Sequence, residues 1–433
     1  MDVTPARRAA LRARLAVAGG RLLDHALGDV ASGLEDRDRG FLHELLYGTT
    51  RLQGRLDHLL DRRVRGGLDR LDPPVLETLR LGAYEAFYMD GVPDYATRSQ
   101  AVELAKEEAG QGAGGLVNAV LRRVVEDGVG PQRFPALASD PLGHLTRWGS
   151  HPEWMVRRWL ERWDVEAVLR LVERNNARPD THLVPLDVPP EEGVRLLAEA
   201  GIEAEVTGGG TGCVCLASGT DPVAALDVLP SVIQDPGANL VPRYADLAPG
   251  TKVADLCAAP GGKALVSTGE ERYVVAADRG VGRMGLVRDN ARRTGRRLGL
   301  VVADAARPPL RPVDAVLLDV PCTGTGTLGR HPDGRWRLDP SDLDALAALQ
   351  DRLLEGAASV VKPGGYLVYS TCSLEPEENE DRVDAFLARH DDFRVEDSGS
   401  VPADVRDETG RLRVLPQDTG FDGAFAARLR RRG

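Results

Sequence analysis

Through roughly the first 127 residues, apolar side chains recur at helical spacing between short polar joints. Runs near 6–30, 38–62, 95–109 and 113–127 each predict a helix. A fifth begins at Asp72-Pro73-Pro74, where an N-cap aspartate and first-turn prolines precede Leu76, Leu79, Ala83 and Phe87 on one face. The expectation is an all-α bundle over residues 1–130. The segment Glu126-Asp127-Gly128-Val129-Gly130-Pro131 breaks the pattern, and Phe134 to Gly143 reads as a linker.

From 144 to 240 the periods mix, which predicts a small α+β region. Trp154, Val156, Trp159 and Leu160 mark one helix, and Val165 to Glu173 a second. A strand is expected near Leu183–Val188, a helix near Glu191–Ala200, and a loop at Gly208-Gly209-Gly210-Thr211-Gly212. Cys213 and Cys215 alternate with Val214 and Leu216, the pattern of a packed strand. From 241 to 433 short apolar runs alternate with helical stretches. Strands are expected at Lys252–Leu256, Tyr273–Ala277, Gly299–Ala303, Asp314–Asp319 and Tyr366–Ser370, with helices such as Met284–Arg293 and Leu343–Val360 between them. That alternation implies a doubly wound, Rossmann-like α/β domain. Arg411–Leu415 and Ala424–Leu429 read as a final antiparallel edge pair.

A chain of 433 residues is too long for one core, in keeping with three regions. No apolar run reaches the roughly 18 residues of a membrane span, and the arginine-bearing N-terminus has no signal-peptide core, so a cytoplasmic protein without membrane contact is expected. The five cysteines are scattered and lack metal-ligand spacing, which excludes a disulfide framework and predicts no metal. A net charge of −11 argues against a simple nucleic-acid binder. Arginines nevertheless cluster at 7, 8, 12 and 14, at 292, 293, 296 and 297, and at 428 and 430–432, either as phosphate contacts or as solvated faces.

Candidate chemistry gathers at strand ends, the place where an open parallel sheet binds its ligands. The run Asp255-Leu256-Cys257-Ala258-Ala259-Pro260-Gly261-Gly262-Lys263 is a turn of small residues that lets the backbone approach a ligand. The next strand ends in Asp278, placed for ribose hydroxyls, and the third in Asp304, placed for an adenine amino group. Dinucleotide binding would need G-x-G-x-x-G, which is missing; S-adenosylmethionine fits better. Two later strands end in Asp319-Val320-Pro321-Cys322 and Ser370-Thr371-Cys372-Ser373. Carbon 5 of cytosine becomes nucleophilic only when a thiolate adds at carbon 6, so two thiols and a carboxylate beside a cofactor turn point to methyl transfer onto a pyrimidine carbon. Asp319 can accept from the cytosine amino group. Spacing leaves open which thiol attacks. A helix starting near Glu377 would favour ionising Cys372, while Glu375, Glu377 and Glu378 would oppose it.

Asp319-Val320-Pro321-Cys322-Thr323-Gly324-Thr325-Gly326, Arg330-His331-Pro332-Asp333 and Tyr369-Ser370-Thr371-Cys372-Ser373 resemble the RsmB-like bacterial RNA cytosine-5 methyltransferases called Sun or Fmu. Arg37-Asp38-Arg39 and Leu46-Tyr47-Gly48-Thr49-Thr50-Arg51 resemble the NusB-like domain fused to the ribosomal RNA members. The resemblance spans nearly the whole chain. It implies that Cys372 is the nucleophile and that Cys322 promotes release of the methylated base. It implies further that Cys257, Ala258, Ala259, Pro260, Gly261, Gly262, Lys263, Asp278, Asp304 and Asp319 meet S-adenosylmethionine, with Lys263 and Asp319 also near the cytosine. Small-subunit ribosomal RNA is the implied partner of a monomeric enzyme. Transfer RNA, or a non-catalytic RNA-binding or transcription-associated role, is the alternative. Departures from the family pattern are Val320 and Ala424 in the motifs, Asn239 in place of glutamine, and a short segment from Lys263 to Val274 that predicts a short first helix. Trp336, after the Arg330–Asp333 loop, is either a neighbour of the site or that loop's anchor.

Overall fold

The computed structural model describes residues 2–269 and 271–433. They fall into two compact units: the chain up to Ala177 with Leu328–Leu338, and Arg178–Thr327 with Asp339–Gly433.

The first unit is helical, with a bundle of Pro5–Ala18, Leu23–Ala31, Asp36–Arg51, Gln53–Asp61, Pro73–Tyr88, Asp94–Ala109 and Gln111–Asp127. Two expected runs are therefore split. Gly19-Gly20 interrupts the first, with Gly20 at φ 93°, and a bend at Leu52 interrupts the second. Apolar spacing continues across the second break, since Leu45, Leu46, Leu56, Leu59 and Leu60 are all buried, so periodicity alone misses it. Inside the bundle Arg14 meets Glu77 at 2.7 Å, and Arg80 joins Glu77 to Asp57. The linker ends earlier than expected. Asp140 accepts from the Gly143 N–H at 2.8 Å and starts a helix at Pro141–Arg147. Glu153–Arg162 and Val165–Asn176 follow.

Leu328–Leu338 is held in this unit by Arg335, which is fully buried. Its guanidinium donates to the carbonyls of Arg51, Ser150, Asn175 and Leu328 and to the Asn176 side chain, at 2.8–3.1 Å. Trp336 donates from Nε1 to the Thr50 carbonyl at 2.7 Å, which makes it the anchor of this loop.

The second unit holds a small antiparallel sheet of β1 (His182–Pro185), β2 (Ala204–Val206), β3 (Val214–Leu216) and β4 (Ser231–Ile233), in the order β2-β3-β1-β4. Helices Pro190–Glu199 and Pro222–Val228 accompany it over a core that includes Leu183, Leu197 and Val214. Cys213 is buried, and burial pushes its thiol up to about 12, as packing rather than ligation requires.

The large sheet comprises β5 (Lys252–Asp255), β6 (Tyr273–Asp278), β7 (Gly299–Val302), β8 (Val313–Asp319), β9 (Val361–Thr371), β10 (Phe393–Val395), β11 (Leu412–Val414) and β12 (Ala424–Arg431). Their order is β10-β12-β9-β8-β5-β6-β7, with β11 also on β12; β5 to β9 pair in parallel and β10 to β12 antiparallel. The expected antiparallel pair forms, but β12 is not an edge. Ala424 to Leu429 are all buried, and β10 lies outside them. Strand order reverses at β5, so the carboxyl ends of β5, β6, β8 and β9 face one crevice. Among the described residues no helix is long and apolar enough to cross a membrane, and no group of three or more His, Cys, Asp or Glu could hold a metal ion.

Candidate active site

The turn after β5 is braced on several sides. Ala258 N–H donates to the Ala277 carbonyl at 2.9 Å, Arg283 reaches the Ala259 carbonyl at 3.1 Å, and Asn290 reaches that of Pro260 at 3.2 Å. The Ala259–Pro260 peptide is cis. Gly261 sits at φ 110°, a region closed to most side chains, and a Cβ on Gly262 would stand 2.9 Å from Gln234 Oε1. The helix that follows, Gly262–Val266, has only 5 residues, yet Ala264 and Leu265 are buried, so the short segment packs.

At the end of β6, Asp278 is buried; it accepts from Gly280 N–H at 2.9 Å and stands 3.2 Å from Arg283. Asp304 lies just past β7, is exposed, and accepts from Ala306 N–H at 2.9 Å. Cys257 is half-buried, and burial followed by Asp255 drives its thiol well above the ordinary value, which keeps it neutral. Asp255 itself is buried, and loss of solvation, reinforced by Asp319, raises its carboxyl to about 7.

The chemistry-bearing groups stand on β8 and β9. Asp319 accepts from Lys263 Nζ and from Ser370 Oγ, each at 2.8 Å. Burial works against the Lys263 charge, but Asp319, then Cys372 and Asp255, more than offset it and raise its pKa. Cys322 Sγ and Cys372 Sγ are 3.3 Å apart, both half-buried. The hydrogen bond to Cys372, then burial, pushes the Cys322 thiol far above its ordinary value. That keeps Cys322 neutral, and Lys263 interacts electrostatically with Cys372.

The turn from Cys257 to Lys263, Asp319 and the two cysteines thus stand at the carboxyl ends of neighbouring strands, with Asp278 buried at the end of β6 and Asp304 exposed past the end of β7. The helix expected at Glu377 begins instead at Glu380, after a 3-10 turn at Pro376–Glu378. Several clustered arginines prove structural. Arg7, Arg8 and Arg14 pair with Glu85, Glu107 and Glu77; Arg296 pairs with Asp187; Arg428 is buried against Tyr366 and Glu396.

The model of the 16S rRNA methyltransferase RsmB/F family matches residues 244–430, that of the NusB family 4–126, and that of the RsmF/B-like ferredoxin-like domain 151–222. Ribosomal RNA small subunit methyltransferase B of Pseudomonas syringae pv. tomato is 34% identical over 456 residues, covering 98% of this chain and 96% of that protein. The protein of the same name from Pseudomonas putida is 33% identical and covers 98% of each. The chain belongs to the RsmB/F methyltransferase family. In that family's terms the helical bundle is its NusB domain and β5 to β12 form its methyltransferase domain. The crystal structure of PH0851 has the same fold, with a TM-score of 0.80 at 26% identity over 99% of both chains.

Sequence reasoning passed over Asn379 and Gln350, and read Glu378 only as a charge opposing ionisation of Cys372. For Glu378 and Asn379 the signal was the run Pro376-Glu377-Glu378-Asn379, which starts four positions after the second cysteine and is too polar for a segment that turns out to be buried at Glu378 and Asn379.

Proposed function

We propose that this RsmB/F family member is an S-adenosylmethionine-dependent methyltransferase of carbon 5 of a cytosine in small-subunit ribosomal RNA, working through a covalent bond from Cys372 to carbon 6. The observation that carries this reading is the 3.3 Å approach of the two sulfurs beside the Lys263–Asp319 pair. A lone structural thiol would need no such setting.

The residues present fit the methyl donor. The turn Cys257–Lys263 offers backbone at close range, Asp278 and Asp304 stand at successive strand ends, and the buried oxygens Asp255 Oδ1 and Gln234 Oε1 lack hydrogen-bond partners. Held there, the donor would supply an electrophilic methyl group. The chain's own groups do the rest. Lys263 favours the Cys372 thiolate, which adds to carbon 6 and makes carbon 5 nucleophilic. Asp319 accepts from the base edge and orients the ring. After methylation Cys322, which gives its own proton to solvent once Cys372 is bonded to carbon 6, takes the proton of carbon 5; the carbon 5–carbon 6 double bond re-forms and the sulfur–carbon 6 bond breaks with its electrons on Cys372. The Cys322 S–H then stabilises the departing Cys372 thiolate.

We assign RNA gripping to residues 1–130 and 144–240, and chemistry to 241–433. The target base must be unpaired or flipped to reach the thiol. Ribosomal RNA as substrate sets this work in the cytoplasm. The test is incubation of the full chain with methyl-labelled donor and unmodified small-subunit ribosomal RNA, followed by nucleoside analysis. Label in 5-methylcytidine is the expected result; label in any other nucleoside, or none, defeats the reading.

A further inference from the structure

Two thiols on separate loops do not stay 3.3 Å apart unaided. Behind them, Glu378 is fully buried in the turn after β9. Its carboxylate accepts from the Thr323 N–H at 2.9 Å, from the Thr323 hydroxyl, and from Gln350 Nε2 at 3.0 Å. Gln350 also donates to the Pro321 carbonyl at 3.0 Å. Pro321 and Thr323 flank Cys322, so the carboxylate and the amide fix the backbone on both sides of that thiol.

The next residue does the same for the other cysteine. Asn379 Nδ2 donates to the Ser373 carbonyl at 2.9 Å, and its Oδ1 accepts from the Thr371 hydroxyl. Thr371 and Ser373 flank Cys372. Ser373 Oγ lies 3.1 Å from Thr323 Oγ1 and 3.3 Å from Thr325 Oγ1, which joins the two loops directly. Tyr369 ties the dipeptide to β9 by donating to the Glu378 carbonyl at 2.6 Å.

From this arrangement we infer that Glu378 is a positioning residue for the two-thiol reaction: through Thr323 and Gln350 it holds Cys322 within reach of Cys372, so that the covalent bond to RNA can be released. The inference rests on the mechanism proposed above. A carboxylate suits the task because the donors that converge on it need an acceptor-only group; a carboxamide would turn an N–H toward one of them. Misplacement of a reacting group by about 1 Å costs on the order of 10²-fold in rate.

The experiment compares the full-length wild type with Glu378→Gln, Glu378→Asp, Gln350→Met and Cys322→Ala, using donor and small-subunit ribosomal RNA. Glu378→Gln is expected to lower kcat by about 10²-fold with kcat/KM within about twofold, and to accumulate a protein–RNA adduct on a denaturing gel. Glu378→Asp should recover part of the rate. Adding Glu378→Gln to Cys322→Ala should change nothing further, since both act on release. Gln350→Met keeps shape and removes an amide whose Oε1 is buried without a partner, so it should fold and show the same adduct more weakly. It decides the matter if Glu378→Gln does not fold. Wild-type turnover by Glu378→Gln, or lost turnover without adduct, overturns the inference. If Cys322→Ala itself traps no adduct, the two-thiol mechanism fails instead, and with it the premise.

Discussion

Cys322 and Cys372 bring their sulfurs to 3.3 Å although 50 positions separate them in the chain. The cause is strand register. β8 and β9 run side by side in parallel with Asp319 opposite Ser370, so both strands end at one level and each turns into a cysteine. Gly326 keeps the loops close: a Cβ there would stand 2.7 Å from the Cys372 carbonyl and 2.8 Å from Gly423 Cα.

The two thiols should fail in opposite ways. Cys372→Ala is expected to abolish methyl transfer and leave donor binding intact, as read by calorimetry. Cys322→Ala is expected to arrest the enzyme as a covalent RNA complex, seen as a retarded band under denaturing conditions. Exchange of the two behaviours would exchange the assigned roles.

Lys263 should matter for ionisation of the nucleophile. Its ammonium is shared between Asp319 at 2.8 Å and the field of Cys372. Lys263→Ala is expected to slow single-turnover methylation by about 10²–10⁴-fold and to move the pH–rate profile to higher pH, since the thiolate loses a positive charge that acts on it. An unchanged profile would remove Lys263 from the chemistry.

Asp255 predicts a pH dependence of stability in the ligand-free enzyme. Its carboxyl is raised from 3.8 to about 7 by burial and then Asp319. A raised carboxyl stabilises the fold fully below the unfolded value and loses that contribution as pH rises through the folded value. Wild-type Tm should therefore fall between pH 4 and pH 7 relative to Asp255→Asn, by the equivalent of at most about 4 kcal/mol. Parallel Tm curves for the two proteins would contradict this.

Arg335 should be needed for the fold of its unit rather than for catalysis. Arg335→Ala would strand the buried acceptors it serves and is expected to cost about 3–5 kcal/mol in urea unfolding of the full chain. Arg335→Lys, with a compact charge and no planar fork, should recover only part. A loss below about 1 kcal/mol would show that water replaces it.

Much of this protein was legible from sequence because strong local signals and global fold agree. Apolar runs bounded by turns located β5, β6, β8 and β9, and the small residues after Asp255 marked the one turn where backbone must approach a ligand. The strand-terminal positions of Asp319, Cys322 and Cys372 placed the chemistry in one crevice, since parallel strands end together. Tertiary structure alone decided three things. The burial of β12 on both sides made it an inner strand, a matter of what covers each face rather than of its own pattern. The approach of the two thiols to 3.3 Å, and the interaction of Lys263 with Cys372, came from packing that neither local sequence encodes. The gripping of both cysteine loops by Glu378 and Asn379 depends on contacts between segments distant in the chain, and no local period encodes a buried carboxylate's partners.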